Sequence, residues 1–404
     1  MKPEPLTVVI MGLGYIGLPT AALIASKGIN VYGVDINKSV VDTINEGKIH
    51  IVEPDLDGLV HEVVRKGLLK ASTSPTKADV FLIAVPTPFK EGHIPDISFV
   101  EAAIKMITPY LEEGNLVIIE STSPIGTTEK MYDLITSERP ELKNRIYMAY
   151  CPERVLPGKI LYELQYNDRV IGGINPASAK RAKEFYSLFV EGELHETNAK
   201  TAEMCKLVEN AYRDVNIAFA NELSLICDKA GIDVWELIEL ANKHPRVNIL
   251  QPGVGVGGHC IAVDPWFLIT HYPEESKLIK VAREVNLYKT EWVIKKIKEK
   301  AKEFEENYSR KPKIACLGLT YKPDIDDLRE SPALYIVRRL IAEGYRILAV
   351  EPYVDDFSEF HVYETEEALK EADIVAILVA HRQFRNLRIE KNKLLDFCGI
   401  VGNS

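Results

Sequence analysis

The sequence predicts an α/β protein made of two Rossmann-like, doubly wound domains joined by a central domain of long helices. Three observations predict it. Short apolar strands alternate with helical stretches from Leu6 to about Thr197, two long uninterrupted helical runs occupy the middle, and the strand and helix alternation returns after Pro312. At 404 residues the chain is too long for one ordinary core, because a domain averages ~150 residues, so two or three domains are expected.

In the first part, the runs VVIM, VYGVDI, VFLIAV, LVIIES, IYMAY and RVIGG are continuously apolar rather than alternating. That pattern marks strands of a mostly parallel sheet covered by helices on both faces. From Thr201 to Lys229 no proline or glycine interrupts the helical spacing of Leu, Ile, Ala and Val, and Gly231 supplies the stop. Leu278 to Asn307 predicts a second long helix, heavily charged towards its end. Two such helices between α/β domains suit a linking and subunit-pairing segment.

Beyond the polar stretch Glu306 to Pro312, KIACLGL resembles VVIMGLG, GYRILAVEP resembles GINVYGVDI, and EADIVAILVA resembles KADVFLIAV. This is a weak internal duplication. The second copy lacks glycine at the second and third positions of the first copy's turn, so it is expected to hold a different ligand. The expected divisions are 1–197, 198–308 and 309–404, with a cleft between the outer domains as the natural active site.

Apolar residues make up 46% of the chain and charged residues 27%, an ordinary composition for a chain that folds throughout. A formal net charge of −10 argues against a general affinity for nucleic acid or an anionic membrane, because binding phosphate at scale needs a cationic surface. Cys151, Cys205, Cys227, Cys260, Cys316 and Cys398 are scattered without C-x-x-C spacing, which indicates neither a metal site nor a disulfide framework and fits a reducing cytoplasm. The uncharged run Val8 to Ala25 has the look of a signal peptide or anchor, but Gly12, Gly14, Gly17 and Pro19 interrupt it at a meaningful spacing.

The strand VVIM runs straight into Gly12-Leu13-Gly14-Tyr15-Ile16-Gly17 and then a helix. The first glycine permits a tight turn, the second lets the backbone approach a pyrophosphate, and the third allows close helix packing. A second strand ends in Asp35, twenty-one residues after Gly14, where a carboxylate accepts hydrogen bonds from adenosine ribose hydroxyls. Asp35 would repel a 2′-phosphate and no Arg follows it closely, so NAD is expected rather than NADP. Thr87 and Thr122 lie at the ends of later strands, where cofactor contacts gather and where helix caps are equally at home.

The densest unusual segment is HPRVNILQPGVGVGGHCIAVDPWF, from His244 to Phe267. Gly253, Gly255, Gly257 and Gly258 lead to His259 and Cys260, with Asp264 four residues beyond. Glycine at that density predicts close backbone approach to a ligand. Taken alone, Cys260 reads more readily as a small buried hydrophobe than as a nucleophile, and His259 is assigned no chemistry. On the first long helix Lys206, Asn210 and Arg213 share one face, which predicts either a bound anion or a solvated stripe. If Lys206 faces Cys260 it favours thiolate and stabilises a developing oxyanion. Oxidation of an aldehyde needs such a thiol, because hydride leaves readily from a tetrahedral thiohemiacetal.

Together these residues resemble the nucleotide-sugar 6-dehydrogenases, the family that includes UDP-glucose dehydrogenase. GLGYIGLP, AVPTP, STSPIGTT, CPERVLPG, KLVENAYRDVNIAFANEL, GVGVGGHC and GLTYKPDIDDLRESPA occur in the family's order and span nearly the whole chain. Val254 stands where the family pattern carries Pro. PERVLPGK, YRDVNIAFANE, HPRVNIL and GGHCIAVDPWF most resemble the branch acting on UDP-N-acetyl-D-mannosamine.

The resemblance implies oxidation of a UDP-sugar at C6 to its uronate with two NAD and no metal, in a homodimer or higher assembly. By it, Cys260 is the nucleophile, Lys206 the proton carrier and oxyanion stabiliser, and Asn210 a hold on the substrate oxygen. Asp264 works through water, and Glu153 assists thioester hydrolysis. Arg154, Val155, Arg213, His244, Arg246 and Gly257 line the sugar-nucleotide site, His244 and Arg246 from a neighbouring subunit in one arrangement. Tyr321, Lys322 and Arg382 contact substrate, and Arg329 the cofactor pyrophosphate. UDP-N-acetylglucosamine and UDP-glucose stay open as substrates. A two-electron 3-hydroxyacid dehydrogenase has no use for Cys260, and a non-catalytic sensor of NAD or nucleotide sugar has no use for a nucleophile at all.

Overall fold

The computed structural model describes residues 6–90, 94–156, 158–258, 260–354 and 357–401, and divides into two compact units, residues 1–208 and 209–404. The first unit contains strands β1 (Thr7–Met11), β2 (Asn30–Val34), β3 (Leu69–Ser72) and β4 (Val80–Ile83), then a short hairpin of β5 (Phe89–Lys90) and β6 (Ile94–Pro95). Four more follow: β7 (Leu116–Ile119), β8 (Tyr147–Tyr150), β9 (Arg169–Gly173) and β10 (Leu194–Asn198). Apart from the hairpin they form one sheet in the order β10-β9-β8-β7-β4-β1-β2-β3. Every pairing is parallel except β8 with β9.

Helices α1 (Gly17–Ser26), α2 (Lys38–Asn45), α3 (Leu56–Arg65), α4 (Ser98–Ile107), α5 (Thr127–Glu138), α6 (Ile160–Tyr166) and α7 (Pro176–Tyr186) connect these strands. Successive residues of β1 point into different cores. Val8 and Ile10 pack with Leu18, Ile24 and Val60, whereas Val9 and Met11 pack with Val100, Ile104 and Met131. Both faces are covered, so the period-two alternation of the strand is hidden in an apolar run, and each buried Val or Ile contributes roughly 1.5–3 kcal/mol. The uncharged run from Val8 to Ala25 is therefore core. Among the described residues no helix is long and apolar enough to cross a membrane.

The strand reading missed β3 and β10, the outermost strands of the first unit's sheet. An edge strand with one exposed face carries polar residues, as LKAS and LHETN do, and lacks the apolar run that betrays a central strand.

Helices α8 (Ala199–Ala230), α9 (Val234–Ala241), α10 (Asp264–His271) and α11 (Lys277–Tyr308) follow. The two long helices start and stop within two residues of their expected bounds. Asn198 accepts the backbone N–H of Thr201 at 2.9 Å at the start of α8, and Gly231 ends it with a φ of 69°. Each has 32 residues, about 48 Å at 1.5 Å per residue. On α11, Val293, Ile294 and Ile297 share a core with Ile314, Cys316 and Val337 of the second α/β region.

That region contains β11 (Lys313–Leu317), α12 (Pro332–Ala342), β12 (Arg346–Val350), α13 (Thr365–Glu371), β13 (Ile374–Ile377) and β14 (Leu394–Asp396). The sheet order is β12-β11-β13-β14, all parallel. The internal duplication is real in three dimensions. Gly12 donates to the Val34 carbonyl at 2.8 Å with a φ of 91°, and Gly318 donates to the Val350 carbonyl at 2.8 Å with a φ of 94°. The architecture is that of two Rossmann-like sheets with long helices between them in the chain.

Candidate active site

The turn after β1 has the geometry a pyrophosphate needs. A Cβ on Gly12 would lie 2.5 Å from the Ala84 carbonyl oxygen, and one on Gly17 only 1.8 Å from the Gly12 carbonyl oxygen, so both positions are closed by the protein itself. A Cβ on Gly14 meets nothing within 4 Å. Its open flank is the place for a ligand to approach the backbone. Asp35, just past β2, accepts the N–H of Leu13 at 3.0 Å through Oδ2 and that of Asn37 at 2.9 Å through Oδ1. The carboxylate is thus fixed beside the turn with further lone pairs for ribose hydroxyls. Tyr15 is exposed and Ile16 half-buried on the rim. Thr87 and Thr122 follow the neighbouring strands β4 and β7.

His50 was missed by sequence reasoning. Burial lowers its pKa from the usual value, while the charge of Asp35 and a hydrogen bond to the Leu13 backbone oppose the shift. An isolated His in a turn carries no sequence signal for that placement.

Past β8 lies the segment Cys151 to Val155, which carries the expected site residues Glu153, Arg154 and Val155. Glu153 is buried, with one carboxylate oxygen accepting the Arg154 N–H at 2.7 Å and the other accepting Arg169 Nη1 at 2.9 Å. The Arg154 guanidinium turns to the carbonyl of Asp168. Lys206 donates from Nζ to the backbone carbonyl of Glu153 at 2.7 Å. One turn earlier on α8, the buried Glu203 accepts the N–H of Gly126 at 2.5 Å and both the N–H and hydroxyl of Thr128, at 2.8 and 2.6 Å. Glu203 thereby anchors the start of α8 on the N-terminus of α5, where a carboxylate is favoured. Arg169, Glu203 and the fully buried Glu120 were not singled out in the sequence, because a charged residue in a strand or helix reads as surface until its partners are known.

In the second unit the expected site residues Asn210, Cys260 and Asp264 come together at α10. The amide nitrogen of Asn210 donates to Asp264 Oδ2 at 2.6 Å, both residues being buried. The backbone N–H of Asp264 in turn donates to the carbonyl of Cys260 at 2.8 Å, so the half-buried Cys260 occupies the turn that opens α10. Asn210 is buried and Arg213 exposed. The face they share on α8 is therefore not a uniformly solvated stripe. His259 lies outside the described residues.

The glycines of the loop approach protein groups closely. A Cβ on Gly255 would lie 2.3 Å from Thr290 Oγ1, on Gly257 2.4 Å from the Glu330 carbonyl oxygen, and on Gly258 2.7 Å from the Tyr321 ring. The segment is threaded between α11 and the loop before α12, a space that only glycine fits. A Cβ on Gly253 meets only the Gly255 carbonyl oxygen, at 4.0 Å.

Tyr321 is pushed above the usual tyrosine pKa by burial, and the charges of Asp327 and Cys260 add to the shift, which puts Cys260 within electrostatic reach. Lys322 is exposed. Arg329 is clamped on Asp327 through Nε and Nη2, the shortest contact being 2.6 Å, and Arg382 on Asp324 at 2.9 Å. Glu351 stands where Asp35 stands in the first sheet. It accepts the N–H of Leu319 at 2.7 Å and of Thr320 at 3.0 Å, and His381 Nε2 lies 3.2 Å away. In the second copy the strand-end carboxylate thus holds its own loop. After α9, His244 Nδ1 accepts the Arg246 N–H at 3.3 Å.

Three profiles of one family match the chain, covering its NAD binding domain over residues 6–190, its central domain over 200–288 and its UDP binding domain over 315–402. The chain belongs to the UDP-glucose/GDP-mannose dehydrogenase family. A UDP-N-acetyl-D-mannosamine dehydrogenase of Campylobacter jejuni is 55% identical, over 97% of this chain and 98% of its own. An NDP-N-acetyl-D-galactosaminuronic acid dehydrogenase of Ralstonia nicotianae is 52% identical, over 98% and 96%. The solved structure of a UDP-D-ManNAc dehydrogenase of Pyrococcus horikoshii superposes with a TM-score of 0.88 at 40% identity, covering 99% of this chain and 97% of that one.

As a member of the UDP-glucose/GDP-mannose dehydrogenase family the protein is an NAD-dependent nucleotide-sugar dehydrogenase. The Gly14 opening and Asp35 are the features that fit NAD. The UDP binding domain of the family coincides with the second α/β region, which agrees with the expectation that the duplicated fold holds a different ligand.

Proposed function

We propose that the chain oxidises UDP-N-acetyl-D-mannosamine at C6 to UDP-N-acetyl-D-mannosaminuronate, consuming two NAD and one water, with the half-oxidised sugar held on Cys260. The observation that carries this reading is the 2.6 Å bond from Asn210 to Asp264, with Cys260 one hydrogen bond away at the head of the same helix. An amide, a carboxylate and a thiol gathered at a helix N-terminus, whose partial charge favours an anion, are what a thiol-dependent oxidation requires. The sugar is read from the relative in Campylobacter jejuni.

NAD supplies a hydride acceptor for each of the two oxidations. Lys206 takes the C6 hydroxyl proton as the first hydride leaves, and Asn210 holds the oxygen. The Cys260 thiolate then adds to the aldehyde carbon, and the Lys206 ammonium stabilises the oxyanion of the thiohemiacetal. Loss of the second hydride leaves a thioester. Water, ordered by Asp264 and assisted by Glu153, attacks the thioester, the C–S bond breaks, and the thiolate departs as the carboxylate and two protons are released. Arg154 and Val155 are assigned to the nucleotide sugar, as are Arg213, Gly257, Tyr321 and Lys322. His244, Arg246 and Arg382 contact the nucleotide, and Arg329 the cofactor pyrophosphate.

The division of labour follows residues 1–197 for NAD, 198–308 for the catalytic Lys and Cys and for subunit pairing, and 309–404 for the nucleotide sugar. No step requires a metal ion. The 52% identity to the galactosaminuronic acid dehydrogenase favours a second reading, in which an N-acetylgalactosamine nucleotide is the substrate. Counting NADH released from UDP-N-acetyl-D-mannosamine, UDP-N-acetylgalactosamine, UDP-N-acetylglucosamine and UDP-glucose decides between them. Two NADH per sugar with the highest kcat/KM for the mannosamine nucleotide is the expected result, and one NADH with unimpaired Cys260→Ala activity overturns the thiol mechanism.

A further inference from the structure

Helices α8 and α11 share a buried polar ladder that ends on the loop carrying Cys260. Arg283 Nη1 donates to Asp214 Oδ1 at 2.8 Å. Asn286 donates to the same oxygen at 2.8 Å and to the Asp214 carbonyl at 3.1 Å. Asn221 donates to Asn286 Oδ1 at 2.8 Å. The ladder then reaches the backbone of the loop. Asn221 Oδ1 accepts the N–H of Gly253 at 2.9 Å, and beside it Thr290 Oγ1 donates to the Val254 carbonyl at 2.8 Å. At the other end Arg283 Nη1 lies 3.5 Å from the Ile261 carbonyl oxygen. Gly253 and Val254 precede Cys260 and Ile261 follows it, so both flanks of the segment are gripped.

Stability is a poor explanation for this ladder. Asp214 and Arg283 are 0% and 2% exposed, and they pair through Nη1 and Oδ1, leaving Asp214 Oδ2 and Arg283 Nε with no hydrogen-bond partner among the described residues. A half-satisfied buried ion pair is commonly matched or bettered in stability by apolar side chains of the same volume. Burial raises the Asp214 carboxyl to about 6 in spite of Arg283. What apolar residues could not do is hold backbone groups of a glycine-rich loop, which has the most conformational freedom to lose and no sheet or helix ladder to restrain it.

We propose that Asn221 and Thr290, backed by Asp214, Arg283 and Asn286, are positioning residues that set the Cys260 sulfur against Asn210 and Asp264. The inference rests on the reading of Cys260 as the nucleophile. The five act through the loop, where a displacement on the order of 1 Å of the reacting atom costs about 100-fold in rate.

Thr290 offers the cleanest test, with Thr290→Val removing the hydroxyl at nearly constant shape and Thr290→Ser keeping it. Both are made in the full chain beside Asn221→Leu and Cys260→Ala, and kcat and KM are measured for NAD and UDP-N-acetyl-D-mannosamine. The expected result is a kcat lowered about tenfold or more in Thr290→Val and Asn221→Leu, a KM for NAD within about twofold of the parent, and recovery of most of the kcat in Thr290→Ser. If Asn221→Leu does not fold, the Thr290 pair decides alone. The proposal is overturned if Thr290→Val keeps the parental kcat, or if Thr290→Ser is as impaired as Thr290→Val, which would make the methyl packing the cause. Full four-electron activity in Cys260→Ala defeats the nucleophile reading and this proposal with it. Loss of activity in Cys260→Ala together with a normal Thr290→Val defeats the ladder alone.

Discussion

Lys206 donates from Nζ to the backbone carbonyl of Glu153 at 2.7 Å, and the Glu153 carboxylate is itself held by Arg169 at 2.9 Å. The side-chain nitrogen is thus oriented by a neutral oxygen, and in the proposed mechanism it carries the proton and its charge to the oxyanion. Lys206→Met preserves the length of the side chain and removes that charge. Its kcat is expected to fall about 100- to 1,000-fold, with the KM for NAD little changed, as measured by NADH absorbance under saturating sugar.

The three glycines of the first turn predict three different phenotypes. Gly17→Ala forces a methyl to within 1.8 Å of the Gly12 carbonyl oxygen and is expected to disrupt folding. Gly12→Ala adds a clash at 2.5 Å to a left-handed φ of 91°, and should cost roughly 1–3 kcal/mol in urea unfolding. Gly14→Ala meets nothing in the protein. Its stability should match the parent while the Kd for NAD, read by tryptophan fluorescence, rises about tenfold or more, because the methyl occupies ligand space.

Glu120 makes stability pH-dependent. Burial pushes its carboxyl up to about 7, against the pull of Arg169, while Glu153 pushes the same way as burial and a hydrogen bond from Tyr186 opposes it. Tyr186 donates to Glu120 Oε1 at 2.6 Å, and Oε2 has no hydrogen-bond partner among the described residues. Because the folded pKa lies above the free value of 4.5, the folded chain binds this proton more tightly. The resulting stability is complete below pH 4.5 and lost as pH rises through 7. Glu120→Gln lacks the titration. Relative to it, the parent should lose up to about 3 kcal/mol of unfolding free energy between pH 4.5 and pH 8. Urea midpoints at the two pH values check the sign, and a parent that gains on the variant at high pH would refute it.

Along α8, Met204, Val208, Tyr212, Phe219 and Ile226 are exposed, with the last three spaced seven residues apart. Seven residues is two helical turns, so they form one apolar stripe suited to a second copy of the chain. Tyr212→Glu combined with Phe219→Glu places two charges on that stripe. Light scattering after size exclusion should then show the parent as a dimer or larger and the double variant as a smaller species.

Much of this was legible in the sequence where one local rule sufficed. Continuous apolar runs marked strands covered on both faces, and the absence of Pro and Gly marked both 32-residue helices nearly to the residue. The edge strands β3 and β10 were not legible, because half of each faces away from a core and polar residues serve there. The glycine loop was read as a close backbone approach to a ligand. Its glycines also make room for Thr290, Tyr321 and the Glu330 carbonyl, neighbours 35 to 73 residues away in the sequence.

The sequence by itself determined the nucleotide turn. Gly12, Gly14, Gly17 and Asp35 act through backbone geometry and one strand-to-strand step, all within thirty-five residues. The tertiary structure alone decided which charged side chains are interior. Arg169 beside Glu153 and Glu120, Glu203 on the N-terminus of α5, and Arg283 on Asp214 come from segments far apart in the chain. A charge announces its burial only through the partner that compensates it, and that partner is chosen by how the sheets and helices pack.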